Sequence, residues 1–222
     1  MRKDSMSLSL QILDILGALL LLSAFAMIAS RHLADYLNAF AAQSFVLALI
    51  AAVAGYVTRS VELYVMALLT VAVKTGVITY ILKGASERLH LQREVRLYLN
   101  LPTSLLGGAA LTLVAFFVSP RLVDGGLLLN QPPLAMSIAV MLIGLFILSS
   151  RRHAVAQVVG LLTVENGLFA GALSIAHGMP LIVEFGILFD VLVAVIVMGL
   201  LVTLLQREQI SADTAELRRL RG

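Results

Sequence analysis

The stretch AVAQVVGLLTVENGLFAGALSIA, residues 154–176, carries a single charge, Glu165, in twenty-three residues and shows no period-two alternation. A hydrocarbon core is crossed by a helix of about 17–25 predominantly apolar residues. Backbone groups in lipid must bond within their own segment or in a closed barrel, so a long run without alternation reads as a helix. Six further stretches have the same character: residues 8–29, 37–57, 61–82, 101–118, 133–149 and 179–205. The expected fold class is all-α, a polytopic integral membrane protein of about seven transmembrane helices. Composition agrees. Of 222 residues, 60% are hydrophobic and 13% are charged, whereas soluble domains carry about 25% charged residues.

Basic residues set the expected orientation. One set of alternate connections holds Arg31, then Lys83, Arg88, Arg93 and Arg96, then Arg151 and Arg152, then Arg207, Arg218, Arg219 and Arg221. The other set holds only Arg2, Lys3, Arg59 and Arg121. By the positive-inside rule the first set faces the cytoplasm, which puts the N-terminus outside and the C-terminus inside. Arg2 and Lys3 oppose that orientation, and the first span is expected to be retained rather than cleaved. Because the basic residues are spread over loops rather than pooled in one patch, nucleic acid is not an expected partner; the bilayer is.

The expected organisation has four parts. Residues 1–118 form a four-helix membrane part with a cytoplasmic segment at 83–100, in which charges alternate with leucines. Residues 119–132, rich in proline and glycine, form an outer loop. Residues 133–205 form a three-helix bundle, and residues 206–222 a cytoplasmic tail suited to docking a partner. Without cysteine the chain has no disulfide, no cysteine-ligated cluster and no thiol chemistry. The four histidines fall in four different loops or span ends, and no nucleophile–base motif is visible. No catalytic site and no cofactor of its own are expected.

Chemistry is concentrated in the intramembrane charges. Lys74, Glu165 and Asp190 each lie well inside a span, where an ionisable side chain costs roughly 2.5–3.5 kcal/mol on insertion scales. Such residues mark ion and proton pathways by default. Glu165 is too short to reach either surface. Asp190 follows Glu165 across the tight connection at Met179-Pro180, which predicts two carboxyls at similar depth on antiparallel neighbours. Lys74 reads as a relay or counter-ion, provided the N- and C-terminal parts pack together. Glu184, nearer the outer end of the last span, is a candidate for the access path, and His177 in the turn is a candidate proton carrier. Asp14 and Glu62 read as solvated span-end residues, and Gln43 as a polar bond between helices. Gly167 and Gly171 form a small-residue face for close helix approach.

The run Val73-Lys74-Thr75, the basic stretch to Glu94, Asn100-Leu101-Pro102, Leu161-Leu162-Thr163-Val164-Glu165-Asn166-Gly167, Gly178-Met179-Pro180 and Phe189-Asp190-Val191-Leu192-Val193-Ala194 resemble hydrogenase-4 component E over nearly the whole chain. The last three spans are also similar to subunit K of NADH:quinone oxidoreductase and its counterpart in multisubunit antiporters. Glu165 matches the first of that subunit's two intramembrane glutamates; Asp190 stands at shorter spacing for the second. The resemblance implies a membrane-arm subunit of a group 4 hydrogenase or formate hydrogenlyase-type complex in the cell inner membrane. It also implies proton coupling to electron transfer, antiporter-like and quinone-oxidoreductase-like membrane partners, and cytoplasmic partner subunits holding a nickel–iron centre and iron–sulfur clusters. The alternatives are a purely structural scaffold between such subunits and an autonomous cation or proton transporter.

Overall fold

The computed structural model describes residues 2–88, 100–123, 131–151 and 154–175, together with Gly186 and Gly199. All of the regular structure among them is helical: α1 (Arg2–Ala29), α2 (Leu33–Thr58), α3 (Val61–Thr70), a π-helical segment (Val71–Ile78), α4 (Thr79–Arg88), α5 (Leu101–Val123), α6 (Gln131–Ser150) and α7 (Ala154–Ile175). The segments α3, π and α4 run on as one rod. Six stretches among the described residues are long and apolar enough to cross a membrane: Leu8–Ala29, Leu33–Thr58, Val61–Gly84, Leu101–Leu122, Pro132–Ser150 and Val155–Ile175. They cover the first six expected spans. The seventh, 179–205, lies outside the described residues except for Gly186 and Gly199, both helical.

The boundaries differ from the expected ones at several helix ends, and two have a clear physical reason. α2 starts at Leu33, earlier than expected, because Asp35 belongs to its first turn, where a carboxylate favours the positive helix end. α5 runs through Pro120 to Val123, so helix occupies the start of the expected outer loop. Pro120 removes only one backbone donor this close to the helix end, and the helix stops within a turn of it. Arg121 lies in that last turn with its guanidinium 4.3 Å from the Phe117 ring centroid, a cation at the negative helix end. Between α2 and α3 the chain reverses at Arg59, the only described non-glycine residue with positive φ (56°), whose N–H donates to the Gly55 carbonyl. This left-handed cap closes the helix and lets α3 restart at Val61.

The core is built from helical-period stripes. α1 buries Leu16, Leu20, Ala24, Met27 and Ile28; α2 buries Tyr36, Leu37, Phe40, Leu47 and Ala51; α7 buries Val155, Val159, Leu162 and Ala170. The opposite faces expose large apolar side chains, including Leu8, Ile15 and Leu22 on α1 and Leu106, Leu113 and Phe117 on α5. In water these faces would be sticky; in a bilayer they meet lipid. The most extensive packing joins α6 and α7, and α1 lies against α2, α5 and α6. α6 and α7 meet backbone to backbone. A Cβ added at Gly144 would stand 2.6 Å from the Val164 nitrogen, one at Gly160 2.7 Å from the Leu148 nitrogen, and one at Gly167 2.6 Å from the Met141 nitrogen. Without hydrophobic drive in lipid, such close van der Waals contact is what holds helices together.

Candidate functional site

The rod formed by α3, the π segment and α4 turns a narrow face to the interior: Leu63, Met66, Thr70, Lys74, Ile78 and Leu82 are buried. Lys74 sits inside the π segment, where bonding across five residues widens the turn and re-aims the side chains; such turns are frequent at functional sites. Its own carbonyl accepts a hydrogen bond from the Thr79 hydroxyl at 2.9 Å, five residues on.

Lys74 Nζ lies 3.2 Å from Glu165 Oε1 on α7 and donates to Asn166 Oδ1 at 3.1 Å. The residues are 2%, 6% and 0% exposed, so an ion pair stands near the middle of two long apolar helical stretches, shielded from bulk water. The network then runs on through α2 to α1. Asn166 Nδ2 donates to Gln43 Oε1 at 3.2 Å and approaches Ser44 Oγ at 3.4 Å; Gln43 Nε2 donates to the Leu20 carbonyl at 3.4 Å. The direction of donation is fixed by chemistry. An ammonium offers only donors, so Asn166 must turn its carbonyl to Lys74 and its NH₂ to Gln43. Gln43 in turn points its NH₂ at α1. Four elements are thereby tied to one charge pair.

Of the residues singled out in the sequence, the fold brings Lys74 and Glu165 together, and it adds Asn166 and Gln43 to them. Gln43 joins helices as expected, and the packing of α2 on α7, with the Lys74 side chain reaching across to α7, supplies the meeting of N- and C-terminal parts that pairing requires. Asp190, Glu184 and His177 lie outside the described residues, as do the connection at 178–180, residues 89–99 and the tail at 206–222. Gly186, in the same expected span as Asp190, would place an added Cβ 2.6 Å from Met66 Cε and 3.1 Å from Phe169 Cε2. It therefore lies against both α3 and α7.

Arg151, counted in the sequence only as one more cytoplasmic charge, has a second role. It sits between α6 and α7, 1% exposed, and its Nη2 donates to the carbonyls of Ile28 at 2.8 Å and Met27 at 3.4 Å. These belong to the last turn of α1, where carbonyls lack intrahelical partners and a cation meets the negative helix end. Burial pulls the guanidinium pKa below its ordinary value, with Tyr36, 5.8 Å away across its ring, acting in the opposite direction. Arg151 thus fastens the end of α1 to the α6–α7 turn. Truncation in Arg151→Ala is expected to lower unfolding stability in detergent by roughly 2–3 kcal/mol, the loss of charge-assisted bonds plus a cavity. A thermal-unfolding midpoint equal to the parent's would remove this role.

Among known proteins, the chain is 35% identical over 213 residues to Rv0085 of Mycobacterium tuberculosis, itself uncharacterized, covering 95% of this chain and 96% of that one. It is 34% identical over 119 residues to hydrogenase-4 component E of Escherichia coli and of Shigella flexneri. That match takes in 54% of this chain, which spans only about half the length, 55%, of those relatives. A distant family link to component E follows from it. No family model and no solved structure matches the chain.

Proposed function

Since this chain belongs to the family of the mycobacterial protein Rv0085, with a partial likeness to hydrogenase-4 component E, we propose that it is a membrane-embedded subunit of a hydrogenase-type complex. In this reading the chain takes part in proton translocation or in its coupling to electron transfer, while partner subunits hold the nickel–iron centre and iron–sulfur clusters. The observation that carries the reading is the buried Lys74–Glu165 pair at 3.2 Å. Opposite charges held together in a low-dielectric interior form a neutral unit whose proton position responds to charge arriving nearby. A proton driven against a potential of about 100 mV requires roughly 2.3 kcal/mol, within reach of such a local electrostatic change. Asp190 is assigned the second carboxyl of the pathway, with Glu184 and His177 towards the outer side. Replacement of the pair, argued in the Discussion, is the deciding experiment.

The scaffold reading is favoured by a different observation: the amide chain from Asn166 through Gln43 to the Leu20 carbonyl satisfies the pair's surroundings like a structural joint. The same experiment separates the two. We further propose seven spans with the C-terminus in the cytoplasm of the cell that carries the complex in its inner membrane. A reporter fused after Gly222 is then expected in the cytoplasm, and one inserted at residues 124–126 outside. Both reporters in one compartment would overturn that topology.

A further inference from the structure

We infer that Lys74 is the specificity element of this site: its ammonium occupies the seat a sodium ion would take and so restricts the site to protons. The inference deepens the proton-handling reading and rests on it. Nζ stands 3.2 Å from a carboxylate oxygen and 3.1 Å from an amide oxygen, both on α7 and both aimed at the same point. A carboxylate and a neutral carbonyl converging on one position are the ligands a hard cation takes. Here a cation already fills that position, and it is tied to the backbone of the third span.

The orientation of the neighbours strengthens the argument. Asn166 has only one carbonyl oxygen, and it faces Lys74 because its NH₂ is turned to Gln43. Gln43's own oxygen is committed to Asn166, since its NH₂ meets the Leu20 carbonyl. The amide oxygens beside the seat are therefore each turned to a donor, that of Asn166 to the lysine and that of Gln43 to the Asn166 NH₂. A mobile sodium ion entering the seat would have to displace a tethered charge of the same sign, at the same distance from Glu165. A proton need not. It can be exchanged within the pair, between the ammonium and the carboxylate, without any atom leaving its place.

Removal of the tethered charge should reverse the specificity. In Lys74→Met the carboxylate of Glu165 and the carbonyl of Asn166 still face the vacated point, now without the lysine's charge, and a small monovalent cation can enter. Chains purified at full length in detergent are equilibrated with radiolabelled sodium, with choline as the inert replacement cation. The parent is expected to retain no sodium above the choline background. Lys74→Met is expected to retain about tenfold the choline background, and Lys74→Met combined with Glu165→Gln to fall back to the parent level. Where Lys74→Met does not fold in choline, its recovery by sodium or lithium, but not by potassium or choline, is the equivalent positive result.

Sodium retained by the parent and abolished by Glu165→Gln would overturn the inference. So would a folded Lys74→Met that takes up none, or a Lys74→Met that no cation recovers. These outcomes are read as binding or folding and not as turnover. If the pair proved dispensable for proton coupling, the proposed function would fall while the sodium result stood by itself.

Discussion

The double variant Lys74→Met, Glu165→Gln is expected to assemble as the parent does and to lose proton-coupled turnover, by on the order of 10²-fold or more. Each single variant behaves differently, because the pair is buried. Glu165→Gln leaves the Lys74 ammonium, and Lys74→Met leaves the Glu165 carboxylate, without its 3.2 Å partner. Breaking one side of a buried pair destabilises by roughly 3–5 kcal/mol, whereas replacing both sides by neutral groups of similar volume is often neutral or stabilising. Loss of activity in a single variant would therefore mix folding with chemistry. The double variant separates them. Met fills the lysine's track and Gln keeps the shape of Glu, so the helices remain packed while no proton can be exchanged at the site. The measurement is paired: subunit stoichiometry of the purified complex, and proton translocation per electron in vesicles. An assembled double variant with normal translocation would leave the scaffold reading standing and remove the relay.

Much of this site was legible in the sequence, and the missing part has a physical explanation. Lys74 and Glu165 announced themselves because a charge in a long apolar run is visible without a structure. Their pairing was not visible, since it depends on how α2, α7 and the third span come together, which loop lengths alone do not dictate. Gln43 and Asn166 are neutral amides of a kind that commonly bonds helices together, so nothing in their spacing distinguishes a network around a charge from ordinary adhesion. The π segment left no readable mark: Val71–Ile78 is a mainly apolar run like the α-helical stretch before it. Arg151 was read through its charge alone, which counts equally for topology wherever the side chain points. A signal was available, since an arginine in a short turn can reach the orphan carbonyls at another helix's C-terminus, but only the fold shows whose carbonyls these are. Span existence was the most legible feature. Span ends were not, because Leu33–Thr58 begins among polar residues that the helix end tolerates.

Glycine substitutions along α7 are expected to divide sharply, and the division tests whether close approach of α6 and α7 positions the pair. Gly167→Ala would put a methyl 2.6 Å from the Met141 nitrogen and 2.9 Å from its Cα. Both are backbone atoms, so no rotamer change relieves the clash and the helices must separate. Gly144 and Gly160 face backbone in the same way. Overpacking of this kind costs about 1–3 kcal/mol, occasionally more. At Gly171 the nearest atom is the Ser137 hydroxyl oxygen at 3.1 Å, a side-chain atom bonded to the Leu134 carbonyl that need give by only a few tenths of an ångström, so Gly171→Ala is expected to be mild. Gly84, with nothing within 4 Å of an added Cβ, serves as the control: alanine there gains helix propensity of about 1 kcal/mol. The expected order of thermal-unfolding midpoints in detergent is Gly84→Ala at or above the parent, Gly171→Ala slightly below, and Gly167→Ala well below. Function should follow the same order for a geometric reason. Gly167 adjoins Asn166 and Glu165, so a helix pushed off α6 moves both ligands of Lys74 together, and their 3.1 and 3.2 Å contacts cannot survive a shift of an ångström. A Gly167→Ala chain as stable and as active as the parent would mean that α6 and α7 do not meet at this glycine.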